Sequence, residues 1–151
     1  MPSPPDTESF GFLIADVGRL MRRAFQARLE DGPLTFAQAL VLAYVERQQG
    51  LRQVELAELM EIQPITLARL VDQLAKAGLV ERRPDTDDRR AYRLHLTAAA
   101  APELEAVRRI GAEVRAEAIA GLGASDSARL NAMLRRMRDN LAGPRRPDRE
   151  G

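Results

Sequence analysis

Two groups of residues have types and spacing suited to recognition chemistry. Gln63, Thr66, Arg69 and Gln73 recur every three or four positions, so in a helix they project from one face. Glutamine can pair with adenine, threonine can touch a phosphate or a thymine methyl, and arginine can fork onto guanine. The second group, Asp88-Arg89-Arg90, closes the polar run Pro84-Asp85-Thr86-Asp87-Asp88-Arg89-Arg90. At the tip of a two-strand projection, an arginine can enter a narrow, electronegative minor groove, and an adjacent carboxylate can fix its rotamer beforehand. Around this tip four acids (Glu81, Asp85, Asp87, Asp88) partly cancel five arginines (Arg82, Arg83, Arg89, Arg90, Arg93). That balance favours a few positioned contacts over a general electrostatic clamp. The alternative for both groups is an ordinary solvated surface.

Little other chemistry is available. The 151 residues include no cysteine and one histidine, His95. This excludes disulfides, thiolate nucleophiles, thiol redox sensing and multi-histidine metal centres. No glycine-rich phosphate loop and no paired carboxylates in an apparent cleft are present, so neither an enzyme nor a bound cofactor or metal is expected. Tyr44 and Tyr92 read as core packing, and His95 as a solvated strand residue. No run approaches the roughly 18 uncharged apolar residues of a membrane span, and a signal-peptide pattern is missing, so the cytoplasm is expected. The composition, 45% hydrophobic and 30% charged, is that of a globular chain, and its net charge is only +1. All 23 basic residues except Lys76 are arginine. Genomic codon bias accounts for that as readily as function does, so position rather than total charge must decide.

Positioning those residues requires specific elements. Phe10, Leu13, Ile14, Val17, Leu20, Met21, Ala24 and Phe25 predict a helix ending near Leu29, before Asp31-Gly32-Pro33. Thr35 starts a second helix with Gln38 as its capping-box partner and Gly50 as the stop. A short helix over 53–61 turns Val54, Leu56, Ala57 and Met60 inward. After a brief break Pro64 opens a fourth helix, which runs to about Ala77 and is closed by Gly78. Leu67, Leu70, Val71 and Leu74 form its inner face. The period then changes to two strands, Leu79–Arg83 and Ala91–Leu96. Thr97 caps another helix, bearing Leu104, Val107, Gly111, Val114 and Ala118. Ser125 caps the last, bearing Leu130, Met133, Leu134, Met137 and Leu141. The fold class is mainly α with a small β-hairpin wing: a winged helix-turn-helix lobe over residues 35–97. Residues 7–34 and 98–142 supply N- and C-terminal dimerisation helices, with tails at 1–6 and 143–151. One compact core cannot easily bury three long amphipathic helices, so a homodimer is expected; an intramolecular bundle is the alternative.

The stretch GLVERRPDTDDRRAYRLHLT, preceded by LTFAQALVL and LAELMEIQPITLARLVDQL, resembles the MarR family of dimeric winged-helix transcription regulators, and its SlyA branch most. The resemblance runs from about residue 10 to 141. It implies double-stranded DNA as partner, with Gln63, Pro64, Thr66, Arg69 and Gln73 on the recognition helix and Asp88, Arg89 and Arg90 in the wing. Thr66 and Arg69 would contact bases or phosphates. Arg90 would enter the minor groove, held by Asp88, and Arg89 would support the phosphate backbone. The likeness also implies a cleft between dimerisation helices and DNA-binding lobe that takes a small aromatic carboxylate. Arg19 and Arg22 match its arginines, although they could equally serve a dimer interface or surface ion pairs. Small Ala39 and Ala43 replace bulkier aromatic side chains, which enlarges such a pocket or removes a stacking surface.

The expected function is therefore a homodimeric repressor on a pseudo-palindromic operator, with half-sites roughly 10 base pairs apart, released by a small aromatic ligand. Activation by counter-silencing without a ligand and a winged-helix protein-interaction module are the alternatives.

Overall fold

The computed structural model describes residues 8–144; the expected tails at 1–6 and from 145 onward lie outside the described residues. The elements are α1 (Phe10–Leu29), α2 (Phe36–Arg47), β1 (Leu51–Arg52), α3 (Gln53–Met60), α4 (Pro64–Lys76), β2 (Val80–Pro84), β3 (Tyr92–Leu96), α5 (Ala100–Ala118) and α6 (Ala124–Ala142). Two compact units divide within α5, after Arg115.

Local chemistry explains most boundaries in the first unit. Ser9 caps α1, accepting from the Phe12 N–H. At α2 the capping box is complete: Thr35 Oγ1 accepts from the Gln38 N–H at 3.2 Å, and Gln38 Oε1 accepts from the Thr35 N–H at 3.0 Å. Pro64 occupies the first turn of α4, where its missing donor costs nothing. Gly78 follows that helix at φ +75°, a conformation that would strain any residue with a Cβ.

The sheet has three antiparallel strands in the order β1-β3-β2. Val80 pairs with Leu96 and Pro84 with Tyr92 along the hairpin. The third strand, β1, is only Leu51 and Arg52, set opposite Leu94 and Arg93. It was not expected, because two residues carry no readable period. The core lies between α2, α3, α4 and this sheet, where Val41, Leu42, Val45, Leu56, Leu67, Val71, Leu74 and Leu94 are fully buried. On α5, Leu104, Val107, Ile110 and Val114 are buried. Phe25 of α1 packs edge-on to Phe36 of α2, their ring centroids 5.7 Å apart.

Several local expectations are corrected. Val54 points outward, 52% exposed, because α3 turns Leu56 and Ala57 to the core instead. Tyr92, paired with Pro84 beside the tip of the hairpin, is 46% exposed rather than core. Thr97 does not cap α5, which begins three residues later. Its hydroxyl instead donates to the Gly78 carbonyl, and its N–H donates to Leu79 O, closing the base of the hairpin. In the second unit the N-cap of α6 is Gly123, without a side-chain bond, and Ser125 lies inside the helix.

Within the single chain, α1 buries only Leu29; Phe10, Phe12, Leu13, Ile14, Val17 and Leu20 are exposed, Phe12 by 74%. On α6, Met133, Leu134 and Leu141 are exposed as well.

Leu67 anchors the inner face of α4 at full burial. Its replacement by alanine should cost about 2–5 kcal/mol, through lost transfer energy and the cavity left behind. A urea denaturation midpoint shifted at unchanged slope is the expected reading.

Candidate nucleic-acid interface

The α3–α4 turn passes through Glu61, which adopts the left-handed conformation at φ 53° and lets the Ile62 N–H reach the Ala57 carbonyl at 3.1 Å. The chain then enters α4 through Gln63, the N-cap, whose side chain makes no capping bond. With Leu67, Val71 and Leu74 buried, Gln63, Pro64, Thr66, Arg69 and Gln73 are all exposed. The recognition residues expected on the outer face of this helix therefore do lie in solvent. The wing brings Asp88 and Arg90 to the same side as the start of α4: Gln53, Val54, Pro64, Asp88, Arg90, Ala91 and Tyr92 line one groove of about 300 Å³.

Arginine pairing separates structural from available cations. Arg82 of β2 donates to Gln53 of α3 at 2.9 Å and to the Ala68 carbonyl of α4 at 3.2 Å, and it pairs with Asp72 of α4 at 2.7 Å. It thus binds three elements into one block. Arg83 pairs with Glu81 across 2.5 Å. Arg93 pairs with Asp85 and donates to the Gly50 carbonyl at 2.9 Å. By contrast, Arg69, Arg89 and Arg90 have no carboxylate partner among the described residues. Bidentate and multiply bonded guanidiniums are held in place; the unpaired ones are free to meet a polyanion.

Asp85 is the feature that sequence reading placed wrongly. It is not a solvated residue of the tip: its side chain is 0% exposed. One oxygen accepts from Arg52 of β1 at 2.8 Å and lies 3.1 Å from Arg93 of β3, while the other accepts from the Asp87 N–H at 2.9 Å. The Asp87 N–H, then Arg52 and Arg93, hold its carboxyl below the usual carboxylate range, against the opposing effect of burial. Arg52 and Arg82 were likewise missed as organising residues. The near balance of acids and arginines around the tip includes Arg82 but not Arg52, which no local pattern marks.

Asp88 also differs from expectation. Its carboxylate accepts from the backbone N–H of Arg90 at 2.9 Å, and its carbonyl accepts from the Ala91 N–H at 3.1 Å. It therefore fixes the backbone of the tip, leaving the Arg90 guanidinium without that tether. His95 is half-buried rather than solvated, its imidazole against Gly50, and burial together with Arg83 lowers its pKa.

A second cavity, about 480 Å³, lies between α1, α2 and α5. Gly18, Met21, Arg22, Phe25, Phe36, Leu40, Tyr44, Gly111 and Val114 line it, with the Arg22 guanidinium 5.2 Å from the centre of the Phe36 ring. Of the four residues expected there, only Arg22 lines it. Arg19 is exposed and pairs with Asp16 at 3.4 Å. Ala39 is buried in the core and Ala43 is half-buried, and neither lines the cavity. The capping box sets the phase of α2 so that Phe36, Leu40 and Tyr44, four residues apart, share the cavity face. Among the described residues, no three His, Cys, Asp or Glu side chains converge as metal ligands, and no helix is long and apolar enough to cross a membrane.

A helix–turn–helix followed by a wing on a three-stranded sheet defines a winged-helix protein. Residues 34–92 match the MarR family model. Wild-type MarR from E. coli in its apo form is 27% identical, with 87% of this chain and 98% of that chain covered at a TM-score of 0.77. A mutant E. coli MarR complexed with operator DNA is 28% identical, with 84% and 91% covered at 0.68. A MarR transcriptional regulator from Methanosarcina mazei Go1, 23% identical, shares the fold over 88% and 96% at 0.79. The chain thus has the MarR winged-helix fold.

Because the Asp85 pKa is depressed from 3.8 in the folded state, its contribution is present above that value and is lost as pH falls through the folded pKa. Asp85→Asn should loosen the wing at neutral pH, with helical content retained. Faster amide exchange across 85–96 than in wild type, and a flatter acid dependence of that exchange, are the expected results.

Proposed function

We propose that this chain is a homodimeric, sequence-specific DNA-binding regulator of transcription of the SlyA-like kind, acting as a repressor on a pseudo-palindromic operator. The observation that carries the reading is the division of arginines. Arg52, Arg82, Arg83 and Arg93 are paired with Asp85, Asp72 and Glu81, whereas Arg69 on α4 and Arg89 and Arg90 at the wing tip are exposed and have no carboxylate partner among the described residues. The recognition helix enters a major groove with Thr66 and Arg69 toward the bases, and Arg90 reaches the adjacent minor groove. The operator-bound E. coli relative supports this assignment. The exposed apolar face of α1 supports a second copy as partner, since a patch of that size on a lone chain is unusual.

A small aromatic acid is the proposed effector. The cavity between α1, α2 and α5 joins one guanidinium to aromatic and aliphatic walls, which suits an aromatic body bearing a carboxylate. It acts only if it prefers one lobe spacing over another; equal affinity for both would leave DNA binding unchanged.

Fluorescence anisotropy on the upstream intergenic DNA, over a salt series, tests the reading. Arg90→Ala should weaken binding and reduce the log–log salt slope by about 1. Binding untouched by that change, or equal on scrambled DNA, refutes the assignment.

Salicylate should release wild-type protein from the same DNA, and Arg22→Ala should raise the concentration needed by about tenfold, the cost of one charge-assisted contact. DNA binding indifferent to salicylate in both proteins would remove the aromatic acid from the proposal.

A further inference from the structure

Gln38 and Gln73 lie 35 positions apart, yet Gln38 Nε2 donates to Gln73 Oε1 at 2.9 Å. The polarity of this bond is fixed from outside the pair. The Thr35 backbone N–H can only donate, so the atom it meets at 3.0 Å must be the Gln38 carbonyl oxygen. The Gln38 amide nitrogen is thereby the group left to face α4, and it can only donate. Gln73 must answer with its oxygen, and its two Nε2 hydrogens remain uncommitted, with no acceptor among the described residues. Gln73 stands one turn beyond Arg69 on the exposed side of α4.

We infer that Gln38 is a positioning residue that sets the hydrogen-bonding polarity of Gln73, so that the recognition helix offers a donor at this position. The inference rests on the reading of α4 as the DNA-recognition helix. The contacted atom must then be an acceptor, namely guanine N7 or O6, thymine O4 or adenine N7, rather than the exocyclic amine of adenine or cytosine. A free glutamine could serve either kind of edge by turning over. Tied to a capping box, it cannot turn over without losing a bond.

Gln38→Glu separates this role from a merely structural one. Glutamate serves a capping box as well as glutamine does, so α2 should form and the thermal midpoint should hold. One carboxylate oxygen keeps the Thr35 N–H, and the other can only accept. Gln73 must then donate to it and present its own oxygen to the DNA. The test is selection of bound sequences from a random duplex pool by full-length wild type, Gln38→Glu and Gln73→Ala, read as base composition because the added charge lowers affinity everywhere.

Gln73→Ala should flatten one position of each half-site, which identifies the contacted pair. At that position wild type should disfavour cytosine, whose major-groove edge has no acceptor, by about fivefold or more, and Gln38→Glu should instead disfavour guanine and thymine, whose edges carry no amine, while the other positions hold. An unchanged consensus in Gln38→Glu, or a wild-type consensus unaffected by Gln73→Ala, overturns this inference and leaves the regulator reading standing. A wild type that enriches no sequence overturns both.

Discussion

The buried carboxylate of Asp85 is the interaction on which the wing depends. A hairpin of two five-residue strands has too little apolar surface to hold its own shape in water. Here its tip end is tied to β1 through Arg52, to β3 through Arg93 and to the start of the connecting loop through the Asp87 N–H. Removing a charge from water is costly unless its oxygens are satisfied, and both Asp85 oxygens are. The consequence is directional: the carboxylate holds the start of the connecting loop rigid, so that the exposed Arg89 and Arg90 are carried on a defined backbone.

The same economy of charge recurs one layer inward. Arg82, on β2, reaches α3 and α4 through three donor–acceptor contacts, to Gln53, Ala68 and Asp72. In a lobe whose basic residues are almost all arginine, the side chain that reads a polyanion is also the one that cements the scaffold. What separates the two uses is the presence of a carboxylate within reach. Pairing, rather than net charge, is therefore the quantity that marks the candidate interface.

Legibility in the sequence followed the range of the interaction. The Thr35–Gln38 capping box, Pro64 at a first turn and Gly78 after α4 act over three or four residues, and all three read correctly from spacing. The inner face of α4 was equally plain, since Leu67, Val71 and Leu74 keep one period throughout. The roles of Asp85 and Arg52 depend on a contact 33 positions apart, and no local pattern announces it. β1 is too short to have a period at all. Ala39 and Ala43, taken from the family resemblance, stand one position out of phase with Leu40 and Tyr44, which line the cavity. Asp88 was placed beside the correct residue, but it grips the main chain of Arg90 and not its guanidinium.

The Arg82 strut has a consequence for tolerance to change. Because α3, α4 and β2 are pinned by one side chain, the gap between the outward face of α4 and the root of the wing is a fixed length, like the jaws of a calliper set by one screw. Such a gauge accepts objects of a single width. An insertion in the chain anywhere between Asp72 and Arg82 would change that width by a whole residue, whereas additions beyond Asp88 would alter only the reach of the tip. Sequence variation among chains built on this plan should therefore gather at the point of the wing and avoid its root.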